Sequence, residues 1–124
     1  MGLTRLYLAQ RGLCFHCHEP MIWSAKNKRR HWLSYTKEHL LPRSKGGKGR
    51  TNIVLAHGKC NVRRGDSLPT PEMMDRAKLI WAYAVRITQG EVERFSRERA
   101  VSGTYASGYN WPIGVGEPKF IPKK

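Results

Sequence analysis

The spacing of apolar and polar positions in the first half of the chain predicts short elements in a mixed order. Residues 4–11 have the periodicity of a short helix. The β-branched and aromatic run 32–36 indicates a strand that delivers Glu38-His39 at its end and that Pro42 closes, and 52–56 indicates a second strand. Residues 58–64 are predicted to form the helix that follows. The expected order is therefore helix, strand, strand, helix.

The second half of the chain predicts two further helices. Thr70 is suited to the N-cap and Pro71 to the first helical position of a helix over 71–88. One face of this helix is apolar and should pack on the strands. Its members are Met73, Ala77, Ile80, Ala84 and Ile87. Gly90 should break the pattern, and a more polar helix is expected over 91–100.

Length and composition predict one domain. A chain of 124 residues can bury one modest core. We assign 1–100 to that domain and 101–124, rich in Gly and Pro with interspersed aromatics, to an irregular basic arm. No apolar run approaches the roughly 18 to 20 residues of a membrane span, and the N-terminus lacks the apolar core of a secretory signal. We therefore expect a soluble cytoplasmic protein.

The charge of the chain indicates a polyanionic partner. Lys and Arg total 23 against 9 Asp and Glu, a net charge of +14, and most of this excess lies in residues 1–66. A positive field of this size collects nucleic acid. The basic loops and the helix 58–64 supply candidate phosphate contacts: Lys28, Arg29, Arg30, Arg43, Lys45, Lys48, Arg50, Arg63 and Arg64. The run 26–30 is equally typical of a merely solvated face.

The three cysteines indicate a metal site more than a disulfide. Cys14 and Cys17 form a Cys-x-x-Cys knuckle, and Cys60 remains without a partner for internal pairing. In a reducing compartment such a knuckle is more often a metal site, and zinc is the first candidate. Buried thiols without metal are the alternative.

Several spaced motifs together resemble the HNH endonucleases. They are the run 35–47 with Glu38-His39 and Gly46-Gly47, the run 52–55 that begins with Asn52, and the run 60–66 that begins with Cys60-Asn61. The resemblance covers roughly residues 12–68. It implies an α+β fold: a small ββα-metal domain, stapled by zinc and flanked by helices, that hydrolyses DNA phosphodiester bonds.

The resemblance also implies roles for four residues. His39 would be the general base that takes the proton of the attacking water, a task suited to a neutral imidazole. Glu38 and Asn61 would hold Mg²⁺ or Mn²⁺. Many members have His where this chain has Asn61, but an amide oxygen is an acceptable ligand for a hard cation. Asn52 would brace the loop and help to orient His39.

A structural zinc site is the further implication. Family members clamp the unit with two Cys-x-x-Cys knuckles, and here a histidine replaces one cysteine. The implied Cys₃His ligands are Cys14, Cys17, His57 and Cys60, a donor set that zinc accepts. The spacing favours His57 over three rival nitrogens: His16, His18 and His31.

Two other classes of function fit part of the sequence. A non-catalytic zinc-ribbon-like module would bind nucleic acid without cutting it. A ribosome-associated structural protein would fit a pI of about 10.3 but gives no reason for the spacing of Glu38, His39 and Asn61. The small size suggests, by analogy alone, a free-standing phage or mobile-element nuclease acting on double-stranded DNA. A homodimer is possible, and the sequence does not choose between nicking and double-strand cleavage.

Overall fold

The computed structural model describes residues 2–23, 33–42, 45–47, 52–98 and 104–105. Within these residues the chain forms four helices and four short strands. In chain order they are α1 (Leu3–Ala9), β1 (Ile22–Trp23), β2 (Tyr35–His39), β3 (Ile53–His57), α2 (Gly58–Arg64), α3 (Pro71–Ala84), α4 (Gln89–Glu98) and β4 (Thr104–Tyr105). The expected mixed α+β class is confirmed.

An antiparallel hairpin followed directly by a helix forms the centre of the molecule. β2 pairs with β3 so that Glu38 lies opposite Val54 and His39 opposite Ile53. β3 ends at His57, and α2 begins at the next residue. The observed β2 lies three residues later than the predicted run 32–36. Glu38 and His39 therefore belong to the strand, because its backbone pairing with β3 extends to the His39–Ile53 pair.

The core lies between α1, α3 and the hairpin. α1 buries Leu6 through Ala9, and α3 contributes Ala77, Ile80 and Ala84. Tyr7 is fully buried and donates its hydroxyl to the carbonyl of Met21 at 2.7 Å. This hydrogen bond gives the buried hydroxyl a partner, and it also fixes the segment that leads into β1.

Gln10 connects α1 to β3 through its side chain. Its Oε1 accepts the Leu55 amide N–H at 2.8 Å, and its Nε2 donates to the Leu55 carbonyl at 2.9 Å. The Phe15 amide N–H donates to the same carbonyl at 3.0 Å. The buried Gln10 amide thus satisfies β3 as a neighbouring strand would, and the segment after α1 is held beside this strand.

The two C-terminal helices differ in part from their predicted bounds. α3 begins as predicted, since Thr70 Oγ1 accepts the Met73 N–H at 3.1 Å and Pro71 opens the helix. It ends at Ala84 and not at 88, and Gly90 lies inside the first turn of α4. The reason is that Thr88 caps α4: its Oγ1 accepts the Glu91 N–H at 3.2 Å, which starts a new helix before Gly90.

A second small sheet was absent from the sequence-based expectations. β1 pairs antiparallel with β4, so that Ile22 lies opposite Tyr105 and Trp23 opposite Thr104. β4 falls in the segment 101–124 that was expected to be irregular, and the rest of that segment lies outside the described residues. None of the described helices has the length and apolar content needed to cross a membrane.

Candidate metal centre and adjoining site

Four side chains from two distant stretches of sequence meet at the end of β3. The sulfur atoms of Cys14, Cys17 and Cys60 and a ring nitrogen of His57 all lie within 4.8 Å of one another. His57 Nδ1 is 3.2 Å from Cys17 Sγ and 3.8 Å from Cys60 Sγ. Cys14, His57 and Cys60 are buried. The four predicted ligands are therefore brought together in a cluster that could hold a metal ion.

The backbone positions this cluster from both sides. The knuckle follows α1 and is tied to β3 by the Phe15 N–H bond to Leu55. On the other side, His57 ends β3 and Cys60 lies in the first turn of α2. From α3, the Arg76 guanidinium lies 4.4 Å from the centre of the Phe15 ring and donates to the Phe15 carbonyl at 2.8 Å. The knuckle is thus held in place by contacts that do not involve its sulfur atoms.

His57 is held with one nitrogen directed at the sulfur atoms. Its Nε2 lies 2.8 Å from the Pro20 carbonyl oxygen, an acceptor, so Nε2 carries the proton and Nδ1 presents a lone pair. Burial lowers the pKa of His57, which favours the neutral ring. Metal-binding histidines usually have their second nitrogen fixed in this way. The hydrogen bond to Pro20 therefore supports a role for His57 as ligand.

The surroundings of the cysteine thiols also fit a metal site. The backbone N–H groups of His16 and His57 each donate to Cys14 Sγ at 3.4 Å, as they would to a thiolate. Burial raises the pKa of Cys14, and it raises the pKa of Cys60 to about 12. Without a cation the buried thiols therefore keep their protons, and a metal ion would displace them. A Cys₃His set of this kind fits zinc, which prefers sulfur and imidazole donors.

Glu38 lies next to this cluster with both carboxylate oxygens engaged. The side chain is 4% exposed. Its Oε2 is 2.9 Å from His16 Nε2, and its Oε1 accepts a hydrogen bond from Arg64 Nη1 at 3.0 Å. His16 lies inside the Cys14-x-x-Cys17 knuckle, so the knuckle and the hairpin meet at this carboxylate. In the sequence analysis His16 had been considered only as a rival zinc ligand.

His39 occupies the last position of β2 and is half-buried. Its carbonyl oxygen accepts a hydrogen bond from Arg64 Nη1 at 3.0 Å. Among the described residues no side chain forms a hydrogen bond with its ring. The nitrogens of the imidazole therefore have no hydrogen-bond partner within the described part of the chain and are available to a small molecule or a substrate.

Asn52 and Gly47 hold the loop that follows β2. Asn52 is buried, its Oδ1 accepts the Leu41 N–H at 2.8 Å, and its Nδ2 donates to the Leu41 carbonyl at 2.9 Å. Gly47 packs so closely against the Leu41 carbonyl oxygen that a Cβ atom there would overlap with it. Its neighbour Gly46 has a φ of +89°, which favours glycine. The two glycines thus serve different needs of the same loop.

Asn61 contacts β2 from helix α2. Its Nδ2 donates to the Lys37 carbonyl at 3.0 Å and to Thr36 Oγ1 at 3.3 Å. Within the described part of the chain its Oδ1 has no hydrogen-bond donor. The amide therefore ties the helix to the strand just before Glu38 and leaves an oxygen free to act as an acceptor or ligand.

The candidate phosphate contacts fall into three groups. Lys45 and Arg63 are exposed, as a contact to nucleic acid requires. Arg64 is not: its side chain is 8% exposed and donates to Glu38 and to the carbonyls of His39, Leu40 and Ser67. The guanidinium of Arg64 is thus engaged by the protein itself, and its contact with phosphate stays a prediction. The remaining six lie outside the described residues: Lys28, Arg29, Arg30, Arg43, Lys48 and Arg50.

A pocket of about 240 Å³ opens beside the Cys₃His cluster. It is lined by His16, Cys17, Cys60, Arg63 and Arg64. The lining thus includes both partners of Glu38 and one exposed arginine. The sequence indicates the place of His16 beside Glu38 only through its position inside the knuckle. The direction of its ring depends on how the knuckle folds against β2.

Comparison of the sequence with models of known protein families and with curated proteins found no match.

Proposed function

We propose that this protein is a metal-dependent endonuclease of the HNH type that hydrolyses phosphodiester bonds of double-stranded DNA. The observation that carries the proposal is the continuous unit β2–β3–α2, in which the hairpin presents Glu38 and His39 and the helix presents Asn61. The Cys₃His cluster at the base of this unit supports the same assignment.

Each residue has a role that its surroundings permit. His39, whose ring makes no hydrogen bond to the described residues, would take the proton of the attacking water. Asn52 holds the loop after His39 through Leu41 and so maintains the direction of the strand end. Glu38 and the free Oδ1 of Asn61 would hold Mg²⁺ or Mn²⁺. That ion would supply charge stabilisation for the phosphate and the departing oxygen.

The environment of Glu38 also fits a second class of protein. Both of its oxygens already have basic partners, as expected of a carboxylate that only stabilises the fold. A non-catalytic zinc-containing module would keep this arrangement, bind nucleic acid through Lys45 and Arg63, and cut nothing. The two classes differ in one measurable property, which is turnover.

A plasmid cleavage assay tests the proposal. The zinc-loaded protein should convert supercoiled DNA to nicked or linear forms with Mg²⁺ or Mn²⁺ but not with a chelator. His39→Ala should lose cleavage by roughly 10²- to 10⁴-fold, the usual contribution of a positioned general base, while binding of DNA and metal is retained. Asn61→Ala should instead recover part of its activity as the metal concentration is raised, because occupancy and not the base was lost.

His18→Asn serves as the control for loss of a nearby imidazole, since asparagine tolerates the φ of +65° at this position. It should cut like wild type. Equal cleavage by wild type and His39→Ala would reject the role of His39. Salt-sensitive DNA binding without any cleavage, across the whole metal series, would favour the non-catalytic module.

A further inference from the structure

The geometry points to His16, a residue of the zinc knuckle, as a ligand of the divalent ion at Glu38. Its imidazole would make this site one of mixed nitrogen and oxygen donors. The inference rests on the proposed function, because it extends the metal site of that proposal. It assigns to His16 a role apart from the zinc cluster.

The two donor atoms are separated by the distance expected of neighbouring metal ligands. His16 Nε2 and Glu38 Oε2 lie 2.9 Å apart. Adjacent ligands of an octahedral ion with bonds of about 2.1 Å are separated by about 3 Å. The two side chains are therefore already at the spacing of neighbouring ligands, and an ion could replace the proton between them with little movement of either side chain.

The other carboxylate oxygen of Glu38 is held by Arg64. Arg64 Nη1 donates to Glu38 Oε1. The same guanidinium also donates to the carbonyl of His39, at the end of β2, and to the carbonyl of Ser67, which follows α2. Ligating carboxylates are commonly oriented by such a hydrogen bond to the oxygen that does not bind the metal. Arg64 thus leaves Oε2 directed at His16 and does not compete for that oxygen.

The pocket offers space for an ion, and the charges around it favour an ion that is bound together with a phosphate. The 240 Å³ pocket is lined by His16, Cys17, Cys60, Arg63 and Arg64, so an ion held by His16 would have room on that side for water or a phosphate oxygen. The positive charge of Arg64 offsets that of the carboxylate, so the protein alone supplies little net attraction for a cation. A phosphate group in the pocket would add the missing negative charge, and DNA should strengthen metal binding.

An imidazole ligand changes the metal preference. Mg²⁺ prefers oxygen donors, whereas Mn²⁺ and later first-row metals accept imidazole more readily. We therefore expect tighter binding of Mn²⁺ than of Mg²⁺, with a preference that depends on His16. Removal of the imidazole should lower Mn²⁺ affinity about 10-fold or more and Mg²⁺ affinity less.

The test is Mn²⁺ binding to the zinc-saturated full chain, followed by electron paramagnetic resonance. Pulsed measurements detect a directly bonded imidazole nitrogen through its coupling to the Mn²⁺ electrons. Wild type should show this coupling, and it should be lost in His16→Ala and in His16→Gln, which fills the same space without an imidazole. His39→Ala and His18→Asn each remove another histidine of this region and should keep it. Zinc content should be unchanged in all four variants.

The outcomes separate this inference from the proposed function. Nitrogen coupling that persists without His16, or its absence in wild type at saturating Mn²⁺, would overturn the inference even if the protein cuts DNA. Coupling that depends on His16 in a protein that never cuts DNA would sustain the metal site and reject the nuclease. The wild-type spectrum is informative even if a His16 variant fails to fold.

Discussion

Burial decides the protonation of the residues that form the metal cluster. His57 is 1% exposed, and burial lowers its pKa, which favours the neutral ring, while the Pro20 carbonyl accepts the hydrogen bond from Nε2–H and so fixes the tautomer. The same burial raises the pKa of Cys14 and Cys60 and so keeps their thiols protonated. Without a metal ion, the His57 ring and the thiols of Cys14 and Cys60 are therefore uncharged, and binding of a cation must release protons from the thiols.

This predicts that zinc affinity rises with pH. At neutral pH each of the Cys14 and Cys60 thiols should release a proton on binding, and Cys17 is a third thiol ligand, so the logarithm of the apparent affinity should increase by at least about two per pH unit. Chelator competition between pH 6 and 8 measures the slope, and a dye in weak buffer measures proton release directly. Cys60→Ser should reduce the slope by about one. A slope near zero in wild type would show that the thiols are already ionised.

In the metal-free protein, the free energy of unfolding should fall as the pH rises above 9. The thiol pKa of Cys60 is raised from an ordinary value of 9.0 to about 12 in the folded chain. The stability that this shift contributes is complete below pH 9 and is lost as the pH rises towards 12.

At the scale of elements, helix α2 joins the metal cluster to the strand β2 through its side chains. Cys60 belongs to the cluster, while Asn61 and Arg64 contact β2 at the residues around Glu38. Arg63 is exposed, although it is adjacent to Arg64 in sequence. Two neighbouring arginines of one helix therefore have different physical roles, since successive helical residues face different directions.

We expect Arg64→Ala to destabilise the fold by about 3 kcal/mol, the usual cost of leaving a buried charge without its partner. Glu38 would lose its guanidinium, and the carbonyls of His39 and Leu40 would lose a donor. Arg63→Ala is the matched control and should change the free energy of unfolding by less than about 0.5 kcal/mol. Urea denaturation of both variants measures the difference. Equal stability of the two variants would show that Arg64 does not brace the helix.

At the scale of the whole molecule, a small core is supplemented by the cluster. The described helices bury one continuous set of apolar residues, and the knuckle contacts β3 and α2 through the Phe15–Leu55 backbone hydrogen bond and the four clustered side chains that could hold a metal. Small domains with limited cores often depend on a metal for stability. The metal cluster should therefore contribute to the stability of the entire chain.

Elemental analysis should find about one zinc per chain. Removal of zinc by a strong chelator should lower the melting temperature and reduce the free energy of unfolding by several kcal/mol, because binding energy in such sites is coupled to folding. Cys60→Ser should have a similar effect. Lys59→Ala, which alters an exposed neighbour on the same helix, should not. A zinc-free protein with an unchanged melting temperature in chelator would reject the site.

The net charge of +14 predicts electrostatic DNA binding. The logarithm of affinity should fall linearly with the logarithm of salt concentration, by about 0.9 for each phosphate neutralised. Arg63→Ala should reduce this slope by about one phosphate equivalent. Fluorescence anisotropy with a labelled duplex at several salt concentrations provides the measurement. Affinity that does not change with salt would contradict a phosphate-binding surface.

The sequence determined the features that depend on local chemistry. The caps Thr70 and Pro71 predicted the start of α3, and the paired spacing of Cys14-x-x-Cys17 and His57-x-x-Cys60 predicted which side chains form the metal cluster. These signals are readable because each acts over a few residues: a cap satisfies the next turn, and a knuckle brings two ligands together by spacing alone.

Tertiary structure decided every feature in which residues distant in sequence share one partner. Glu38 is 22 residues from His16 and 26 from Arg64, yet both contact its carboxylate. The inward direction of Arg64, the fixed tautomer of His57 and the pairing of β1 with β4 are of the same kind. No local pattern specifies them, because a buried charge or donor takes the partner that the packed chain brings to it.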